Sequence, residues 1–83
     1  MIEHTLMVTS SLEARPAALF VQAASKFMSE IYVTLENKTV NAKSIMGMIS
    51  IGILDGQTVT LIAKGEDEEH AISELNRFLT RVV

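Results

Sequence analysis

The strongest constraint on the fold is an alternation, along the chain, of segments with two-residue apolar periodicity and segments with helical periodicity. The order is strand, helix, strand, strand, helix, strand, helix. We predict strands at 2–9, 31–35, 39–41 and 58–63, and helices at 14–27, 44–53 and 66–82. Four strands with helices between them predict an α+β fold, in which one sheet carries helices on one face.

The length limits the chain to one core. A chain of 83 residues and 9.1 kDa buries about 60% of its surface on folding, which supports a single small domain. We therefore expect residues 1–83 to form one domain. Because 48% of the residues are hydrophobic, disorder is excluded as the main state.

Charge and cysteine content exclude several classes of function. The net charge is −3 and there is no cysteine. A chain of this charge has no basic surface for non-specific binding to nucleic acid or to an anionic membrane, and it has no disulfide, thiolate zinc site or thiol nucleophile. The start of the chain lacks signal-peptide features, and the longest uncharged apolar stretch, 44–54, is shorter than a membrane span. We expect a cytoplasmic protein.

The segment 44–53 is apolar on two sides of a helix. At about 100° per residue, Ile45, Met46, Ile49 and Ile53 fall on one side, and Met48 and Ile51 fall on the other. A small domain is not expected to enclose such a helix, so one side should be an exposed contact surface. The periodicity does not say which side, and a short helix or strand buried in the core is an alternative interpretation.

Ser44 precedes this apolar run. Serine is a favoured N-cap, because its hydroxyl accepts a hydrogen bond from a backbone N–H one turn into the helix. A cap with only a structural role is the commoner outcome for such a serine. A phosphate at this position would lie at the positive end of the helix, next to the apolar surface, and would be able to alter the affinity of a partner.

The titratable residues do not form a recognisable catalytic or metal site. Glu13 precedes the first helix without a titratable partner, and His4 lies in a strand as a packed or edge residue. Glu66 and His70 share four-residue spacing, but one histidine among scattered carboxylates is more typical of a solvated face. We predict that the protein is not an enzyme and that it has no metal or other cofactor.

Three segments resemble the HPr family, the small phosphocarriers of the bacterial sugar phosphotransferase system. These are Ala14-Arg15-Pro16-Ala17, 21–27, and the stretch 40–47, which contains the distinctive Lys43-Ser44-Ile45-Met46-Gly47. The resemblance covers essentially the whole chain. It implies an open-faced β-sandwich with a four-stranded antiparallel sheet and three helices on one face, in the order βαββαβα.

Position 13 departs from the phosphocarrier pattern. HPr carries its phosphate on a histidine two residues before the arginine of the Ala-Arg-Pro motif, and here that residue is Glu13. A carboxylate has no imidazole nitrogen to form a phosphoramidate, so sugar transport should be lost. The chain then resembles the Crh group of Bacillus-type bacteria, whose members lack the histidine and keep the regulatory serine. Crh usually has glutamine at position 13, and the family usually has glycine where Ser11 stands.

The resemblance implies a regulatory function in carbon catabolite repression. HPr kinase/phosphorylase would phosphorylate Ser44, and the phosphoprotein would act as corepressor of the LacI-type transcription factor CcpA without binding DNA itself. The family docks through the residues that match Ile45, Met46 and Ile49 and buries those that match Met48 and Ile51. Arg15 and Glu13 are expected on the same face as Ser44.

Two alternatives stay open from the sequence. One is a phosphotransferase-system phosphocarrier that uses Glu13 as the phosphate acceptor. The other is a structural oligomer, because the short hinge 9–12 after the first strand would permit two copies to exchange that strand and form a homodimer.

Overall fold

The computed structural model describes residues 1–9 and 14–80, and it confirms the element order expected from the sequence. Ser44 and Asp67 are the N-cap residues of the helices Ile45–Ile51 and Glu68–Leu79. The elements are β1 (Ile2–Met7), α1 (Ala14–Ser25), β2 (Glu30–Leu35), β3 (Lys38–Asn41), α2 (Ile45–Ile51), β4 (Thr58–Lys64) and α3 (Glu68–Leu79).

The four strands form one antiparallel sheet in the order β1-β4-β2-β3. Strand alternation gives the sheet two different faces. In β2 the side chains of Ile31, Val33 and Leu35 are buried, whereas those between them are partly exposed. The buried face packs with the three helices into one apolar core, so the sheet and helices form the open-faced α+β sandwich that the sequence predicted.

Several element boundaries differ from the prediction, among them the ends of the first helix and of the first strand. The first helix ends at Ser25 rather than residue 27, because the N–H groups of Lys26 and Phe27 bond to carbonyls only three residues back. The first strand ends at Met7, and Val8 then pairs with the loop before β4 through hydrogen bonds to Gln57 and Gly56.

The second helix is shorter than the apolar run that predicted it. Gly52 adopts a left-handed conformation, with φ of 64°, and ends α2 after two turns. Ile53 therefore lies beyond the helix and is fully buried. The helical wheel grouped Ile53 with Ile45, Met46 and Ile49, and that grouping was wrong, because the wheel continues a rotation that the backbone stops at Gly52.

Candidate functional site

Ser44 caps α2, as its position in the sequence predicted. Its backbone is extended, with φ of −104° and ψ of 115°, and its Oγ accepts a hydrogen bond of 3.1 Å from the N–H of Gly47. The Ser44 carbonyl also accepts from the Met48 N–H at 3.0 Å. The residue as a whole is partly buried, and its hydroxyl is held in the helix cap by the Gly47 N–H.

The loop that delivers Ser44 is fixed by hydrogen bonds to the end of β3. The side-chain oxygen of Asn41 accepts a hydrogen bond from the N–H of Lys43 at 2.8 Å. The backbone carbonyl of Asn41 accepts one from the N–H of Ser44 at 3.0 Å. The Lys43 ammonium donates to the Phe27 carbonyl at 2.7 Å. These contacts tie the start of α2 to the turn that follows α1.

The exposed face of α2 is apolar. Ile45, Met46 and Ile49 are 38%, 76% and 49% exposed, and we call these three side chains the α2 patch. Met48 and Ile51, on the opposite side, belong to the core. Tertiary packing thus decides between the two apolar sides that the sequence left open, and it excludes complete burial of the helix.

A second hydroxyl lies on the same helix. Ser50 is exposed and donates to the Gly47 carbonyl at 2.9 Å. It differs from Ser44 in lying within the helix rather than at its N-cap.

Two of the predicted contact residues are not placed by the structure. Glu13 lies outside the described residues, as does the side chain of Arg15, although the backbone of Arg15 belongs to the first turn of α1. The helix that contains Arg15, α1, packs against α2, the helix that Ser44 caps. The position of both side chains near Ser44 stays a prediction.

The turn before α3 contains a carboxylate whose role the sequence did not reveal. Asp67 accepts hydrogen bonds from the Ser29 hydroxyl at 2.5 Å and from the N–H groups of Met28 and Ser29 at 2.9 and 3.0 Å. These hydrogen bonds hold the pKa of Asp67 below its ordinary value, with the Ser29 hydroxyl as the largest cause and the Met28 N–H as the next. The only sequence signal was an aspartate at a helix start, which indicates a local cap rather than an anchor for a distant turn.

The Glu66–His70 pairing does not form on a helix face, because α3 begins only at Glu68. His70 instead lies 3.8 Å from the Glu74 carboxylate and packs edge-on against Phe27. Neighbouring Glu68 accepts from the Gly65 N–H, which lowers the pKa of its carboxyl. Within residues 1–9 and 14–80, no group of three or more histidine and acidic side chains is arranged to hold a metal ion.

His4 lies on edge strand β1, as expected, and its Nε2 is 3.2 Å from the Asn76 Oδ1 of α3.

Among the described residues, no helix has the length and apolar character needed to cross a membrane.

A four-stranded antiparallel sheet backed by three helices, with a serine-capped second helix that exposes an apolar face, defines a class of small α+β sandwich. The family model of the PTS HPr component phosphorylation site matches residues 2–81. The chain therefore belongs to the HPr family.

Relatives of two kinds are similar to this chain. The HPr-like protein Crh of Halalkalibacterium halodurans is 51% identical over 72 residues, which cover 87% of this chain and 86% of that protein. The crystal structure of HPr from Thermoanaerobacter tengcongensis superposes with a TM-score of 0.88 at 53% identity, covering 95% of this chain and 91% of the other.

The crystal structure of Crh from Bacillus subtilis, described as a dimer with a swapping domain, gives a TM-score of 0.76 at 47% identity. It covers 95% of this chain and 88% of that one. Because the identities to HPr and to Crh are similar, overall similarity does not separate a phosphocarrier from a regulator.

Proposed function

We propose that this protein is a regulatory member of the HPr family, switched by phosphorylation of Ser44 and acting as corepressor of CcpA in carbon catabolite repression. The observation that carries the proposal is a partly buried serine at the N-cap of a helix, directly beside an exposed apolar helix face. In this proposal residues 1–83 act as one domain in the cytoplasm, and the chain is a substrate and binding module rather than an enzyme.

The modifying enzyme is HPr kinase/phosphorylase, with ATP as phosphate donor. The Ser44 oxygen attacks the γ-phosphorus, its proton passes to a base of the kinase, and the bond to the β-phosphate oxygen breaks to release ADP. The hydrogen bond from the Gly47 N–H to Oγ fixes the orientation of the acceptor oxygen. The product adds about −1.5 to −2 charges and three strong acceptor oxygens.

The phosphate and the α2 patch together form the surface for the repressor. A basic side chain of the partner pairs with the phosphate, while Ile45, Met46 and Ile49 enter an apolar groove. We expect Arg15 to take part from the first turn of α1. Glu13 is expected on the same face, where it either pairs with a basic partner surface or repels an acidic one.

The kinase reaction tests the first half of the proposal. The protein is incubated with HPr kinase/phosphorylase and ATP, and the phosphate is located by mass spectrometry. One phosphate on Ser44 is expected in the wild type and in the Ser50→Ala control, and none in Ser44→Ala. Incorporation that survives Ser44→Ala, or no incorporation into the wild type, contradicts the proposal.

The repressor tests the second half. Binding of CcpA to operator DNA is titrated with the unmodified protein and with the protein phosphorylated by the kinase. Only the phosphorylated protein is expected to strengthen operator binding. Equal effects of the two forms would mean that the phosphate is not the switch.

The phosphocarrier function is the second candidate, favoured by the 53% identity to an HPr. It requires phosphate on Glu13, with phosphoenolpyruvate and the first enzyme of the phosphotransferase system as the source. We expect no labelling of the wild type and a gain of labelling in Glu13→His. Labelling of the wild type that is lost in Glu13→Gln would establish the carrier function instead.

A homodimer formed by exchange of β1 is compatible with the regulatory function. The Crh structure described as a swapping-domain dimer supports this arrangement. The proposed hinge, 9–12, begins at Thr9, and its other residues lie outside the described part of the chain. Exchange would preserve the β1–β4 register. In the exchanged dimer, β1 of one copy would pair with β4 of the other copy through the same residues that pair within a single copy.

A further inference from the structure

The five methionines of the chain divide sharply by exposure. Met1, Met7, Met28 and Met46 are exposed, whereas Met48 is fully buried. Exposure is a major determinant of how fast a methionine thioether is oxidised. Two methionines that lie two positions apart in one helix therefore differ strongly in their access to an oxidant in solution.

Met46 differs from the other exposed methionines in its location. It is the most exposed member of the α2 patch and lies two residues after Ser44. Met1 precedes β1, Met7 is its last residue, and Met28 lies in the turn between α1 and β2. Of the four exposed methionines, Met46 is the one whose oxidation would change the α2 patch, the surface proposed for docking.

We infer that Met46 is a reversible oxidation site at which a peroxide switches off docking of the seryl-phosphorylated protein. This inference rests on the proposed function, because the consequence requires that the α2 patch binds the repressor. The reagent class is a small peroxide, and the product is methionine sulfoxide.

The chemistry is a two-electron transfer. The sulfur lone pair of Met46 attacks one peroxide oxygen, an S–O bond forms, and the O–O bond breaks. The departing hydroxide or alkoxide takes up the proton that the sulfur-bound oxygen loses and leaves as water or an alcohol, so the sulfur is oxidised and the peroxide is reduced. A methionine sulfoxide reductase restores the thioether at the expense of a dithiol.

The sulfoxide is expected to act on binding and not on folding. Most of the Met46 side chain is in solvent before docking, so an added polar oxygen costs the free protein little. On docking, the same oxygen would enter an apolar groove without a hydrogen-bond donor, which is unfavourable. We expect a loss of repressor affinity of about tenfold or more.

The modification is tested first without the partner. The protein is treated with dilute hydrogen peroxide, and each methionine is followed by peptide mass spectrometry. Met46 and Met28 are expected to oxidise at similar rates, and Met48 much more slowly. Oxidation of Met48 as fast as Met46 would overturn the inference, because access would then not depend on the folded surface.

The consequence is tested with two matched variants, Met46→Leu and Met28→Leu. Each is phosphorylated on Ser44, and CcpA binding is measured before peroxide, after peroxide and after repair by the reductase. Peroxide should reversibly weaken the CcpA affinity of the wild type and of Met28→Leu, and should leave the affinity of Met46→Leu at that variant's own untreated value. An equal loss in Met46→Leu, or no loss in the wild type, would overturn the inference.

Failure of the proposed function gives a different result. If the untreated phosphoprotein does not bind CcpA, the corepressor function is wrong and the switching consequence falls with it. A normal affinity before peroxide together with an unchanged affinity after complete oxidation of Met46 overturns the oxidation switch alone.

Discussion

The N–H of Gly47 donates a hydrogen bond to the Ser44 hydroxyl over 3.1 Å, and a β-carbon at Gly47 would stand only 3.3 Å from that same oxygen. A β-carbon would also lie 3.3 Å from the Cβ of Val40. The Ser44 side chain thus has room to pack closely against position 47 because glycine has no side chain there. The hydroxyl proposed as phosphate acceptor is held in place by a close backbone approach.

Gly47→Ala should therefore affect phosphorylation more than stability. Alanine favours a helix by about 1 kcal/mol over glycine, and this gain offsets the crowding of Ser44 and the weakened cap. The free energy of unfolding should change by less than about 1 kcal/mol, while displacement of the hydroxyl slows the kinase. Initial rates of phosphorylation and urea denaturation measure the two effects.

Gly52→Ala is the matched control at the other end of the helix. Nothing lies within 4 Å of a β-carbon at Gly52, but its φ of 64° disfavours an L side chain. This variant should lose about 1 kcal/mol of stability and keep its rate of phosphorylation. Slow phosphorylation of both variants would indicate a general loosening of α2 rather than a local effect on Ser44.

The two sides of α2 should respond oppositely to truncation. Ile49→Ser changes a half-exposed residue of the α2 patch, so unfolding should change by less than about 1 kcal/mol while CcpA affinity of the phosphoprotein falls by about tenfold. Met48→Ala empties a buried site and should cost about 2–5 kcal/mol of stability. Thermal denaturation and binding titrations on both variants separate the two roles.

Asp67 should make stability depend on pH in the acid range. Its carboxylate accepts from Ser29 and Met28, which places the folded-state pKa below the unfolded value of about 3.9. The resulting stabilisation is fully present above the unfolded pKa and is lost as pH falls through the lowered folded pKa. Urea midpoints of wild type and Asp67→Asn should differ at neutral pH and converge in acid. A constant difference across that range would contradict the assignment.

Strand exchange should be detectable with a cross-strand cysteine pair. Thr5 of β1 faces Thr60 of β4, with their hydroxyl oxygens 3.0 Å apart, and the chain has no cysteine of its own. Under oxidation, Thr5→Cys combined with Thr60→Cys should form a disulfide within one chain in the monomer and between chains in the exchanged dimer. A dimer of twice 9.1 kDa on non-reducing gels, from concentrated protein only, is expected. Each single variant is the control.

Several features of the fold and site were predictable because they depend on short-range interactions. The alternation of periodicities placed all seven elements, and the position of Ser44 before an apolar run identified it as an N-cap. The four-residue spacing of Glu66 and His70 does not place them on one helix face, because α3 begins only at Glu68. The link between Asp67 and Ser29 was not predictable, since 38 residues separate them.

By itself, the sequence determined the order of strands and helices, the serine at the start of α2 and the glutamate at position 13, because these follow from local periodicity, capping and residue identity. Only the tertiary structure decided which apolar side of α2 faces solvent. Both sides carry isoleucine and methionine, and the choice depends on packing against β3 and α1. It also decided that Ile53 is buried, since the left-handed turn at Gly52 removes it from the helix.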